Sequence, residues 1–248
     1  MTPSPIRKVL SSMRTHGVHC LLMGGQACVF YGAAEFSRDT DLAILSSPEN
    51  LKCFRATLAD LEAERIALPP FQAEYLLRGH ALHFRCHHPD AAGMRIHVMS
   101  VMRGVAPFDV LWERRTTIQT TGGDAYDLLS LADLVQAKKT QRDKDWPMLR
   151  RLVEADYLQN RAHPTPAQLQ FWLTELRTPV LIVELAVMHP DLASGAARER
   201  PLLAFALAEN QTAVENALAA EETAERAVDR NYWQPLRAEL EALRLLHP

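Results

Sequence analysis

The chain has 248 residues, 48% of them hydrophobic and 23% charged, with a formal net charge of −3 at pH 7. That size and apolar content support a sizeable core in one or two domains and, with no repeat or low-complexity segment, exclude disordered and solenoid readings. Near-neutrality argues against an extended nucleic-acid interface, and no run of about 18 apolar residues is present to make a membrane helix.

Four cysteines, Cys20, Cys28, Cys53 and Cys86, lack CxxC spacing and so encode neither a zinc cage nor a disulfide framework. The opening MTPSPIRKVLSSMRTHGVHC is basic but has no signal-peptide apolar core, so the expected setting is the cytoplasm, with reduced thiols.

In chain order, Ser4-Pro5 ahead of IRKVLSSMRTHG predicts a helix with Ser4 as cap, Pro5 at the first helical position and a stop at Gly17. VHCLLMG is a short apolar run closed by glycine, the form of a buried strand. GQACVFYGA then has helical spacing, and TDLAIL is the next strand. PENLKCFRATLADLEA begins at a proline and places Leu51, Phe54, Leu58 and Leu61 on one helical face. ALHFRCHH and MRIHVMSV follow as two strands around the turn PDAAG.

Strand, helix, strand, helix and hairpin predict an α/β (α+β) fold: a mixed sheet with helices on one side, in a domain of residues 1–118. RRTTIQTTGGDAYDLLS suggests one more extended pair. Residues 119–248 read as a helical domain. LADLVQAKKTQRDKD and PMLRRLVEADYLQN are predicted helices broken at Trp146-Pro147. TPVLIVELAVMHP is a predicted helix with Thr178 as cap, Pro179 at its start and Pro190 as its stop; being apolar on most sides, it is expected to be buried. Two amphipathic helices over about 201–228 and 233–246 close the chain.

Two carboxylates draw attention to the second strand. On a strand Asp39 and Asp41 project to the same side, and unpaired they repel until one protonates, so a cation between them is expected. Hard oxygen ligands suit magnesium, which completes its shell with water and substrate phosphates. Gly24-Gly25, at the start of a helix, lets the backbone approach phosphates where free N–H groups and the helix dipole favour anions. Taken singly, Gly-Gly is a turn and Asp-x-Asp a solvated strand end.

Together, a strand, Gly-Gly, a helix and Asp-x-Asp opening the next strand resemble the nucleotidyltransferase superfamily, the fold of DNA polymerase beta and the antibiotic nucleotidyltransferases. The family pattern hG[GS], spacer, Dh[DE]h stands here as MGG, thirteen residues, DTDL. The resemblance implies that Gly24, Gly25 and Ser37 hold the triphosphate of an NTP, and that Asp39 and Asp41 hold catalytic magnesium, or manganese. LADLVQAKKTQRDKDWPMLRRL is similar to a helix of the minimal and abortive-infection types of this superfamily. On a helix Lys138, Arg142 and Asp145 share one face, where the two cations would neutralise phosphate oxygens and Asp145 would orient them. In isolation the same stretch is a solvated charged face.

The chain departs from the family at the third carboxylate, whose place in MRIHVMS is taken by His97. A neutral imidazole accepts a proton, and it ligates manganese or zinc better than magnesium. His97 is therefore a substitute base or ligand, a remnant of lost activity, or a structural histidine. His80, His83, His87 and His88 crowd the neighbouring strand without the spacing of a zinc site.

Two functions follow from the resemblance. The first is transfer of a nucleoside monophosphate to an acceptor hydroxyl, with Asp39, Asp41, His97 and Lys138 catalytic. The acceptor is a small molecule, a protein or an RNA end, the last as in the toxin of a toxin–antitoxin pair. The second is a nucleotide-binding module that acts through a protein partner docked on the helical half.

Overall fold

Local chemistry starts and stops the elements around the second strand. Ser47 is extended and its side chain accepts a hydrogen bond from Asn50 N, with Pro48 in the first turn, so helix α3 (Pro48–Asp60) begins at a true N-cap. Leu51, Phe54 and Leu58 are buried along it, and Leu61 at its C-cap is fully buried. Asn50, itself buried, ties the neighbouring strands together: its Oδ1 accepts from His19 N at 2.7 Å and its Nδ2 donates to His19 O at 3.0 Å and Leu45 O at 2.7 Å.

The computed structural model describes residues 4–35, 37–120 and 123–246. The side chain of Ser4, the expected cap of the first helix, and Thr121 and Gly122, in the expected last turn of the sheet, lie outside the described residues. Before α3 come α1 (Ser4–Thr15), β1 (Cys20–Met23), α2 (Gly24–Phe30) and β2 (Asp39–Ile44). After it come β3 (Glu64–Arg65), α4 (Ala73–Arg78), β4 (Leu82–Arg85), β5 (Arg95–Met99), α5 (Phe108–Glu113), β6 (Thr116–Gln119), β7 (Ala125–Leu128) and α6 (Leu131–Ala137). The fold is mixed α/β. The seven strands among the described residues form one sheet in the order β3-β4-β5-β2-β1-β7-β6. The β2–β5 and β1–β7 pairs are parallel and the others antiparallel.

Alternation along the central strands divides the sheet into two faces. Thr40, Leu42, Phe84, Ile96 and Val98 are buried, whereas Asp39, Asp41, His83 and His97 are half-buried and Arg85 and Arg95 are more open. One face of β2, β5 and β4 is core and the other carries polar side chains.

The chain divides into two units, the first among residues 1–30, 34–137 and 232–248 and the second among 31–33 and 138–231. A boundary at 118 would cut the β6–β7 hairpin, which continues the sheet through the pairing of β7 with β1. The second unit is helical, with α7 (Asp145–Asn160), α8 (Pro166–Glu175), α9 (Pro179–Met188), α10 (Pro190–Ala196), α11 (Leu202–Leu207) and most of α12 (Gln211–Leu246). The last part of α12 belongs to the first unit, where Glu239 accepts from His80 Nε2 at 2.6 Å and Arg78 Nη1 at 2.7 Å.

Three helical expectations are corrected. The break in the charged stretch falls at 138–144, not at Trp146-Pro147, because Pro147 sits in the first turn of α7, where backbone N–H groups need no intrahelical partner. The two closing helices divide at 208–210 rather than at about 229–232: α11 ends at Leu207, and α12 runs from Gln211 through Pro235 to Leu246, losing one hydrogen bond against many. Helix α9 is only partly buried. Ile182, Leu185 and Ala186 face inward, but Val180, Val187 and Met188 are about half exposed at 54%, 50% and 50%. The helix stops just before Pro190 as expected, and Pro190 also opens α10.

Candidate functional site

The site grows from the end of β1. Met23 is in register with Asp41, and the next residue, Gly24, turns with φ of +66°, a left-handed conformation that disfavours any side chain. A Cβ on Gly24 would lie 1.9 Å from Asp41 Oδ2. Glycine is thus required both by the backbone and by the carboxylate resting over it. A Cβ on Gly25 would lie 2.8 Å from Ser37 Oγ, which itself donates to the backbone oxygen of Asp39 at 3.0 Å. Gly24, Gly25, Ser37, Asp39 and Asp41 therefore meet in one place, though the pairs are separated by the length of α2 and a loop.

Asp39 and Asp41 do lie on one side of β2, and each meets a side chain of the chain itself. The parallel register sets Arg95 opposite Asp39 and His97 opposite Asp41. Arg95 donates Nε to Asp39 Oδ1 at 2.8 Å and Nη2 to Asp39 Oδ2 at 3.4 Å. His97 Nδ1 and Asp41 Oδ1 are 2.9 Å apart. His83, in register with His97 on β4, packs edge-on against it with ring centroids 4.6 Å apart. Burial, reinforced by the neighbouring His97, holds the His83 imidazole below its usual range. The sequence reading that a bound cation must separate the aspartates is therefore not required by the fold.

Arg95 is the functional candidate missed in the sequence. It alternates with His97 in MRIHVMS and so had to share its face, a signal present in the same strand.

Among the described residues no three His, Cys, Asp or Glu side chains are grouped to hold a metal ion. Two half-buried carboxylates beside a glycine turn nonetheless have the hard-oxygen chemistry of a magnesium site that leaves most of the shell to substrate and water.

Lys138, Arg142 and Asp145 come together in the second unit by another route than the expected helix face. Asp145 is 2% exposed at the start of α7 and gathers the 138–144 turn around itself. Its Oδ1 accepts from Lys138 Nζ at 3.2 Å, and its Oδ2 accepts from Thr140 Oγ1 and Arg142 Nε, each at 2.6 Å. Burial opposes ionisation of Asp145, but Lys138 and Arg142 outweigh it and hold the carboxyl below the usual carboxylate range. These contacts account for the three residues as a clasp on the turn. Trp146 strengthens it by donating Nε1 to Thr140 O at 2.7 Å.

Two of the cysteines are held as thiols: burial, with Asp127 nearby, raises Cys20 to about 12, and burial raises Cys86 to about 11. Among the described residues no helix is long and apolar enough to cross a membrane.

Comparison with family models and with curated proteins returns no match.

Proposed function

We propose that the protein is a cytoplasmic, metal-dependent nucleotidyltransferase that moves a nucleoside monophosphate from an NTP to an acceptor hydroxyl. The observation that carries this reading is the contact of Asp41 with the side-chain-free surface of Gly24, beside Ser37 over Gly25. It brings a glycine pair, a serine hydroxyl and a pair of carboxylates to the same strand ends. Gly24 and Gly25 admit the triphosphate to the backbone, and Ser37 offers a hydroxyl to it. Asp39 and Asp41 would hold magnesium or manganese, which supplies charge neutralisation at the phosphates.

In the reaction the acceptor oxygen bonds to the α-phosphorus while the bond to the pyrophosphate oxygen breaks. The electron pair of that bond leaves with pyrophosphate. With Nδ1–H directed at Asp41, His97 presents Nε2 to receive the hydroxyl proton, a base oriented by a carboxylate. The reading rests on the first unit alone.

One observation favours a second reading, a nucleotide-binding module without transfer: Arg95 engages both oxygens of Asp39, so a metal must compete with a resident guanidinium. Incubation with each α-labelled NTP, Mg²⁺ or Mn²⁺ and a cell extract separates the two. Transfer predicts a labelled acceptor that disappears with Asp39→Asn and Asp41→Asn. Nucleotide binding without labelling of any acceptor leaves the module.

A further inference from the structure

The two flanks of Asp39 and Asp41 differ in chemistry. On the β1 side lie Gly24 and Gly25. On the other side the registers of β2, β5 and β4 lay two rows across the same face: Asp39, Arg95, Arg85 and, beside it, Asp41, His97, His83. Opposed residues on neighbouring antiparallel strands hold their Cβ atoms about 5 Å apart, so like charges there repel. Arg85 and Arg95 are such a pair.

Arg95 spends Nε and Nη2 on Asp39 and, among the described residues, has Nη1 left over. Arg85 is exposed and makes no hydrogen bond or ion pair among the described residues. Glu64, its register neighbour on β3, is turned to His87 Nε2 at 3.0 Å instead. Among the described residues the Asp39 carboxylate therefore serves Arg95 alone, and Arg85, flanked by Glu64 but not paired with it, keeps its guanidinium open to solvent. Such a pair of guanidiniums is tolerated at a site that takes an anion, as two adjacent carboxylates are tolerated at a site that takes a cation.

We infer that Arg85 and Arg95 form an anion subsite for the acceptor, which carries a phosphate group close to the hydroxyl that receives the nucleotide. This rests on the nucleotidyl-transfer reading, which assigns the glycine flank to the triphosphate and leaves the β5–β4 flank to the second substrate. Two guanidiniums side by side match the double charge and several acceptor oxygens of a phosphate better than a carboxylate. A polycationic acceptor is disfavoured on the same flank. His97 stands in the row between Asp41 and His83, between the two substrates, where an acceptor's proton has to go.

The test is titration of the full chain with inorganic phosphate at low ionic strength, in the presence of a saturating non-hydrolysable NTP analogue and Mg²⁺. Wild type is compared with Arg85→Gln and Arg95→Gln, and acetate serves as a second probe. Phosphate affinity is expected to fall at least about fivefold in each variant, the effect of one charge-assisted hydrogen bond, with acetate binding the wild type more weakly than phosphate. Analogue affinity is expected to be unchanged in Arg85→Gln, and Arg85→Lys to recover part of the phosphate affinity.

Absence of phosphate binding, or binding that neither substitution alters, overturns the inference. So does an Arg85→Gln loss that is equal for phosphate and analogue, since Arg85 would then serve the nucleotide. If the analogue does not bind while phosphate binding still depends on both arginines, the anion subsite stands and the transfer reading falls.

Discussion

Gly24 and Asp41 illustrate how one residue is held by two independent requirements. The left-handed backbone alone makes alanine unfavourable at Gly24 by about 1 kcal/mol, and the Cβ collision forces Asp41 out of place as well. Gly24→Ala is expected to lower stability by about 2 to 4 kcal/mol in urea denaturation; a loss below about 0.5 kcal/mol would mean that Asp41 swings aside without consequence. At Asp39 the structure reverses the sign expected from charge repulsion. Removing the carboxylate breaks the Arg95 pair, whose side chains are 45% and 29% exposed, and the loss is therefore screened to under about 1 kcal/mol. Asp39→Asn should slightly lower the melting temperature in EDTA, and a clear rise would show that repulsion between the aspartates outweighs their pairing.

At the level of elements, the candidate site depends on how β1 and β2 are fastened where they leave the sheet. Asn50 does this with three hydrogen bonds to the backbone at His19 and Leu45, from a buried position in the first turn of α3. Asn50→Ala removes them together and is expected to cost about 2 to 3 kcal/mol. Faster hydrogen exchange at the His19 amide, with the amides of α12 unaffected, would locate the damage; unaltered exchange at His19 would refute the fastening role. The parallel β2–β5 pair matters in a different way. Its register, not the composition of either strand, decides which charges face each other, and a shift of β5 by one residue would place Ile96 on the polar face and turn Arg95 and His97 into the core.

For the whole molecule, the acid response is expected to come in part from Asp145 in the second unit. Its carboxyl lies lower in the folded chain than in the unfolded one, so its contribution is fully present above the unfolded value of about 4 and is lost as pH falls through the lower folded value. Stability measured in denaturant should fall as pH drops below about 4, and Asp145→Asn should flatten that part of the curve. The same variant should already be less stable at pH 7, because Lys138, 10% exposed, loses its charge partner. A pH curve of Asp145→Asn parallel to that of the wild type would show that other carboxylates control acid unfolding.

Short apolar runs punctuated by glycine, proline and capping residues decide β1, α2, β2, α3, β4 and β5 almost locally, and so these elements are legible in the chain without its neighbours. The aspartate pair and the glycine pair are legible for the same reason: strand alternation and a helix start are properties of a few consecutive residues. What faces Asp39 and Asp41 is not local. Arg95 and His97 lie 56 positions away, and only strand pairing chooses them as partners. The clasp around Asp145 was concealed because Lys, Gln and Arg are good helix formers, and only the hydrogen bonds collected by a buried carboxylate favour a turn over another helical segment. Helix α9 shows the remaining limit: an all-round apolar sequence states that burial is favourable, but whether a second surface exists to cover Val180, Val187 and Met188 is decided by packing between distant parts of the chain.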